Sequence, residues 1–282
     1  MPQKTLILSD THLGRPNSVT ADSLRPVWQG VDELVINGDA AEVQVPWLRG
    51  QAVRELDRLE ALARADGARL TLISGNHDAY LTDRRCLQLA NQQILVMHGD
   101  ALHPAVAPWT RYAKSLKQRT ESELAKKQHT DLAARLDIAQ HVGHSEFLRD
   151  YVLSKAGEHT VRRLLARPIE IPKVLWYWRQ EALMGQRFLE QYASKARYLI
   201  VGHSHRAGVW RRGGRVIINT GAFMFPGRPW CALVENGRIT VHRIKRTREG
   251  YQRQDQPIAA FQTGQADSQP VKLNRQTSSE AA

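Results

Sequence analysis

Five short apolar runs in this chain each end in residues whose side chains bind metals, and that recurrence constrains the fold more than any single motif. Leu6-Ile7-Leu8 leads to Asp10 and His12, Leu34-Val35-Ile36 to Gly38-Asp39, and Leu70-Thr71-Leu72-Ile73 to Gly75-Asn76-His77-Asp78. Ile94-Leu95-Val96-Met97 leads to His98-Gly99-Asp100, and Tyr198-Leu199-Ile200-Val201 to Gly202-His203-Ser204-His205. Apolar runs this short, closed by glycine and polar residues, read as buried strands. In an open α/β sheet, ligands gather outside the carboxyl ends of the strands. Five such ends side by side therefore assemble one site from residues far apart in sequence. The stretch Gly75-Asn76-His77-Asp78 alone brings a sharp exit, a neutral oxygen, a proton carrier and an anchor for that carrier.

Periodicity divides the rest of the chain. Leu48, Ala52, Leu56, Leu59 and Ala63 recur at helical spacing between two of the strands, so residues 1–102 alternate as an α/β sheet does. From 103 to 195 the strand signal disappears, and Leu116, Leu124, Leu132 and Leu136 stand among Lys, Arg and Glu as in surface helices. Pro172 suits the first turn of a helix whose Trp178, Ala182, Gly185 and Leu189 repeat every three or four residues. Strands resume at Tyr198, with hairpin turns at Arg212-Gly213-Gly214 and Glu235-Asn236-Gly237. The expected organisation is a core of 1–102 and 196–248, a helical insertion or cap over 103–195, and a disordered tail over 249–282, where apolar residues are few. An insertion of about ninety residues beside a site is far longer than an ordinary loop and suits a lid or a substrate-binding cap.

Composition limits the partners. The chain has 282 residues and a net charge of +12, which favours polyanions: nucleic acid, anionic lipid headgroups or a phosphorylated substrate. No run approaches the roughly 18 to 20 apolar residues that cross a bilayer, and the first apolar run is too short for a signal peptide. A cytoplasmic location is expected. Cys86 and Cys231 read as buried neutral thiols rather than metal thiolates.

The five blocks, in this order, resemble the calcineurin-like metallophosphoesterases. That family's pattern of Asp-x-His, Gly-Asp, Gly-Asn-His-Asp or Glu, a lone His and Gly-His-x-His is met by Asp10/His12, Gly38-Asp39, Gly75-Asn76-His77-Asp78, His98 and Gly202-His203-Ser204-His205. The resemblance implies an α/β fold: a four-layer αββα sandwich of two facing mixed sheets with helices outside. It assigns one metal to Asp10, His12, Asp39 and His205, and a second to Asp39, Asn76, His98 and His203. Asp39, with two oxygens, would bridge the two divalent ions. Nitrogen and oxygen ligands without thiolate suit Mn, Fe or Zn, with Mn expected first. The implied reaction is hydrolysis of a phosphodiester, phosphomonoester or pyrophosphate by metal-bound hydroxide. His77 would protonate the leaving oxygen, Asp78 would orient His77, and Arg206, beside His205, would touch the substrate phosphate.

Within the family the chain most resembles the UDP-2,3-diacylglucosamine hydrolases, through Ser9-Asp10-Thr11-His12-Leu13, Glu42, Met97-His98-Gly99-Asp100-Ala101-Leu102, the placement of the insertion, and His203-Ser204-His205-Arg206. It departs at His77, where that branch usually has Arg, and at Ala207, where Pro is frequent. A basic cap with Trp109, Trp176 and Trp178 would suit an amphiphilic phosphate and peripheral contact with the inner membrane. The alternative reading is a nucleotide or nucleic-acid phosphodiesterase, or a binding module without catalysis, drawing on Arg243, Lys245, Arg246 and Arg248. A module that had lost catalysis would be expected to lose ligands, and none is missing. His103, His129, His141, His144, His159 and His242 lack a preceding strand or a partner motif. Gly143-His144-Ser145 echoes Gly202-His203-Ser204 and reads as a coincidence on a solvated face. Asp100 reads as structural, or as a partner of a ligand histidine.

Overall fold

The computed structural model describes residues 3–16, 18–153, 170–225 and 227–264. Alternation along the strands decides how the layers stack. β1 (Thr5–Leu8) turns Ile7 to one face and Leu6 and Leu8 to the other, and β2 (Glu33–Asn37) separates Val35 from Leu34 and Ile36. After β3 (Arg69–Ile73) and β4 (Cys86–Leu89), β5 (Ile94–Met97) divides Ile94 and Val96 from Leu95 and Met97. β6 (Tyr198–Val201) divides Tyr198 and Ile200 from Leu199 and Val201. Strands apolar on both faces must be covered on both. Ile7, Val35, Ile94, Val96 and Ile200 accordingly meet in one core between two sheets.

The outer faces take helices. α1 (Ala21–Leu24) and α2 (Arg49–Ala65) bring Leu24, Leu59 and Leu62 against Leu6, Leu8, Leu34 and Ile36. α3 (Ala113–Ala125) packs on α4 (Leu132–Leu153) through Leu116, Ile138 and Val142. α4 and α5 (Glu170–Tyr192) then cover Leu95, Met97, Leu199 and Ile217 with Leu136, Phe188 and Leu189. The fold is the four-layer αββα sandwich that the family resemblance implies. No helix among the described residues is long and apolar enough to cross a membrane.

The remaining strands are β7 (Gly208–Arg212), β8 (Arg215–Asn219), β9 (Trp230–Glu235), β10 (Arg238–Arg246), β11 (Tyr251–Arg253) and β12 (Ala259–Gln262). One sheet runs β11-β10-β9-β1-β2-β3, with β12 also on β10; the other runs β4-β5-β6-β8-β7. β1, β2 and β3 are parallel, as are β5, β6 and β8, so each group of strands ends along a common edge. Both expected hairpin turns form: Gly213 and Gly214 lie at φ of 54° and 71°, and Asn236 and Gly237 at 52° and 71°. Two successive positive φ values match the right-handed twist of the flanking strands.

Two expectations change. The disordered tail was expected from 249, yet β11 and β12 both pair with β10, and Tyr251 stacks on Phe223 at 5.2 Å. A sheet edge supplies the backbone partners that composition does not reveal. Residues 265–282 of that tail, and 154–169 of the insertion, lie outside the described residues. On α5 the buried row is Tyr177, Glu181, Gly185 and Phe188, one position before Trp178 and Ala182 at its start. The wide indole of Trp178 lies half-buried at the edge of the contact.

Gly185 is the tightest point of that contact, because a β-carbon there would lie 2.7 Å from Cγ1 of Ile217. Helix propensity favours alanine by about 1 kcal/mol, whereas overpacking a filled core costs about 1–3 kcal/mol. Gly185→Ala is therefore expected to lower stability by a net of about 1 kcal/mol, read as a lower urea unfolding midpoint; a rise would show that β8 yields at this point.

Candidate metal centre

The backbone leaves β1, β2 and β6 through an unusual conformation. Asp10, His12, Asp39, His203 and His205 have φ between 49° and 66°. Non-glycine residues in this left-handed region carry strain of order 1 kcal/mol or more, and such residues gather at functional sites. Cross-strand bonds hold them there: Asp10 N–H donates to the Gly38 carbonyl at 3.1 Å and His12 N–H to the Asp39 carbonyl at 2.9 Å. Side chains need room as well. A β-carbon on Gly75 would collide with the Asp39 carboxylate, and one on Gly202 with that of Asp10. These two glycines are cradles for acid groups.

The side chains converge. His205 Nε2 lies 3.2 Å from Asp10 Oδ1 and 3.4 Å from His12 Nε2, which is 3.8 Å from Asp39 Oδ2. Asp10, His12, Asp39 and His205 each offer one ligand atom within 4.8 Å of the others. On the other side of Asp39, His98 Nε2 lies 3.4 Å from its Oδ2 and 3.2 Å from Asn76 Oδ1. His203 stands beside His98, ring centroids 5.1 Å apart, and its Nε2 donates to the Val106 carbonyl at 2.9 Å. The fold thus gathers all seven residues expected as ligands, His203 through its ring contact with His98.

That pattern fits divalent cations. Imidazole ligands are normally fixed by an acceptor on the nitrogen facing away from the metal. His12 Nδ1 meets Glu42 Oε1 at 2.8 Å and His98 Nδ1 meets the Asn37 carbonyl at 3.1 Å, leaving Nε2 of each directed at the carboxylates. For His203 the anchored atom is Nε2, leaving Nδ1. The electrostatics agree. Burial opposes a charge on Asp39, yet His98, His77 and His12 hold its carboxyl well below the usual range. Burial likewise disfavours charge on His98, but Asp39 and Asp10 push it up to about 10. The buried acids call for positive charge, which a divalent cation supplies without protonating a ligand.

Asp78 serves differently than expected. Asp78 accepts the N–H groups of Asp39, Ala40 and Gly75 at 3.2, 2.6 and 2.6 Å, clamping the exits of β2 and β3 together. Its carboxylate is committed to backbone, so it does not orient His77. Glu42 does: its Oε2 lies 3.4 Å from His77 Nδ1, while Arg15 stands 3.2 Å from the same nitrogen. Glu42 also pairs with the Arg15 guanidinium, tying His12, His77 and Arg15 to one buried acid. Only Glu42's place after Gly38-Asp39 signalled it; nothing in the sequence signalled Arg15.

The insertion reaches the centre through α5. Trp178 Nε1 donates to the Ser204 carbonyl at 3.0 Å, and Arg206, expected on substrate, donates to the Trp178 carbonyl at 2.6 Å and lies over the Trp178 and Trp210 rings. Arg206 is an anchor for the cap helix. Glu181 accepts from Ser204 Oγ at 2.8 Å and Asn219 Nδ2 at 2.6 Å, and its Oε2 is buried without a partner. α4 also docks: His144, expected on a solvated face, meets Gln44 Oε1 at 3.2 Å and stands edge-on to Tyr80 at 5.1 Å. Asp100 is met by Arg85 at 2.8 Å beneath His98.

Residues 4–134 match the model of the calcineurin-like phosphoesterase superfamily domain. No curated protein matches the chain. Among solved structures it is similar to Yfce, a phosphoesterase from E. coli (14% identity, 92% of this chain and 99% of that one, TM-score 0.45). It is similar also to a dimetal phosphatase from Danio rerio (14%, 86% and 96%, 0.44) and to Vps29 complexed with zinc from Entamoeba histolytica (12%, 89% and 97%, 0.43).

Glu181 yields a pH-dependent stability. Burial pushes its carboxyl up to about 7 from its ordinary 4.5, against the Asn219 and Ser204 donors. A raised folded pKa means that the contribution is full below about 4.5 and is lost as pH rises through about 7. Between pH 5 and 8 the wild type should lose on the order of 2 kcal/mol more stability than Glu181→Gln. Urea unfolding at both pH values checks this; equal losses would mean that Glu181 does not titrate here.

Proposed function

From the match of residues 4–134 to the calcineurin-like phosphoesterase superfamily domain and the geometry of the centre, we propose that this chain is a metal-dependent hydrolase of phosphoester or pyrophosphate bonds, working with two divalent ions, manganese first. The observation that carries this reading is the convergence of Asp10, His12, His205, Asn76 and His98 on the two sides of one buried carboxylate, Asp39. Asp10, His12, Asp39 and His205 would hold one cation, and Asp39, Asn76, His98 and His203 the other. Bound divalent cations supply Lewis acidity, which lowers the pKa of water and neutralises phosphate oxygens.

The chain's own groups do the remaining work. Burial disfavours charge on His77, but Asp39 and Glu42 raise its pKa, and in the protonated ring Nδ1–H donates to Glu42 Oε2. Nε2–H of that protonated ring is then the proton offered to the leaving oxygen. Glu42 fixes that ring, and the backbone N–H of His77 donates to Asp39 Oδ1 at 2.9 Å, tying proton donor and bridging acid together. The substrate would be a phosphorylated small molecule or lipid held under the helical insertion.

Purified protein loaded with manganese should turn over an aryl phosphodiester or phosphomonoester, and Asp39→Ala should lose both bound metal and activity. His77→Ala should keep wild-type metal content by elemental analysis while turnover falls about 10²- to 10⁴-fold, most for poor leaving groups. Loss of metal in His77→Ala would make His77 a ligand instead. A UDP-linked diacylglucosamine tested alongside distinguishes a lipid pyrophosphate substrate from nucleotide chemistry. Equal inertness of wild type and Asp39→Ala on all three, with metal bound to the wild type, would overturn this choice of substrates.

A further inference from the structure

We propose that a cavity in the helical insertion is an anion subsite for a second phosphate group carried by the substrate, set on the far side of the loop that supports His203. The cavity, of about 610 Å³, lies between residues 103–113 and the starts of α3 and α5. Lys114, Lys117 and Lys173 line it beside Arg111, and among the described residues no carboxylate does. Lys114 and Lys117 are three apart on α3 and so share a face, while Lys173 comes from α5. Lys117 also meets Glu121 at 3.6 Å along its own helix. Like charges gathered around one concavity repel one another, and an anion within it turns that repulsion into attraction.

The walls add direction and shape. His103 Nδ1 accepts the Ala105 N–H at 3.0 Å, which places the proton of the neutral ring on Nε2 as a further donor. Trp176, 50% exposed, stands edge-on to His103 at 5.9 Å and offers an apolar surface for the carbon linkage between two phosphates. The volume suits a small molecule rather than a polymer. An acyl chain alone would not call for four cations.

The loop couples the two places. Ala105 lines the cavity, and the next residue, Val106, accepts the His203 proton. Trp109 packs 5.3 Å from His203 and 5.1 Å from Tyr177. The class of substrate is then a phosphoester with a second, terminal phosphate. This assignment rests on the phosphoesterase reading for the first phosphate; binding of an anion in the cavity does not.

The test starts with the metal-free, full-length protein titrated calorimetrically with inorganic pyrophosphate. Saturable binding is expected, weakened about tenfold or more in K114Q/K117Q/K173Q and unchanged in Asp39→Ala. The variant K245Q/R246Q/R248Q, with the same charge loss at the end of β10, should shift it by less than about twofold. Absence of saturable binding, or equal weakening in the β10 variant, would overturn the subsite. The second arm compares, in manganese-loaded protein, two aryl phosphodiesters that differ only in ending in a phosphate or a hydroxyl. A KM about tenfold lower for the first, abolished in the triple lysine variant with kcat unchanged, is expected; equal KM values in the wild type would overturn the role in substrate binding. Should neither diester react while the lysine-dependent pyrophosphate binding persists, the phosphoesterase reading fails and the anion site stands.

Discussion

Two acid groups buried at the ends of parallel strands, Asp10 and Asp39, organise this molecule. Neither could remain charged away from water without compensation, and the fold supplies it with imidazoles from the ends of β1, β3, β5 and β6 and with backbone N–H groups. Asp10 accepts the His203 N–H, joining the exit of β1 to that of β6 across the two sheets. Asp39 accepts the His77 N–H, joining β2 to the β3 loop. The site is therefore also a seam: the same carboxylates that would hold metal hold the sandwich shut at one edge.

Support extends outward in layers. Glu42, Asp78, Asn37 and Val106 fix the groups that face the centre. Beyond them α5 is bound to the His203–His205 loop by Trp178, Glu181 and Arg206. The helical insertion is thus built into the wall of the centre by hydrogen bonds on buried polar atoms, a form of contact that specifies geometry more than it adds stability.

Much of this was legible in the sequence. All seven ligand-type residues stand where short apolar runs end, and a strand's alternation carries its own layer assignment, as with Ile7 against Leu6 and Leu8. What was not legible depends on partners distant in the chain. Asp78 follows His77 directly, so adjacency suggested that it orients that ring; its oxygens instead satisfy three amides left open by the turn. Arg206 adjoins His205, yet the strand geometry turns it toward α5. Strands β11 and β12, at three and four residues, are too short to show as pattern, although Tyr251, Ala259 and Phe261 pack on the cores.

The sequence by itself determined the strand ends, the ligand types and the two hairpin turns. Each follows from local rules: apolar period, side-chain chemistry, and the positive φ that Gly and Asn tolerate. The tertiary structure alone decided which acid stands beside His77, which nitrogen of each imidazole faces the centre, and that four cations of the insertion surround one cavity. Those are contacts between segments up to about a hundred residues or more apart, and closing such distances is the work of the packed sheets, which no local signal encodes.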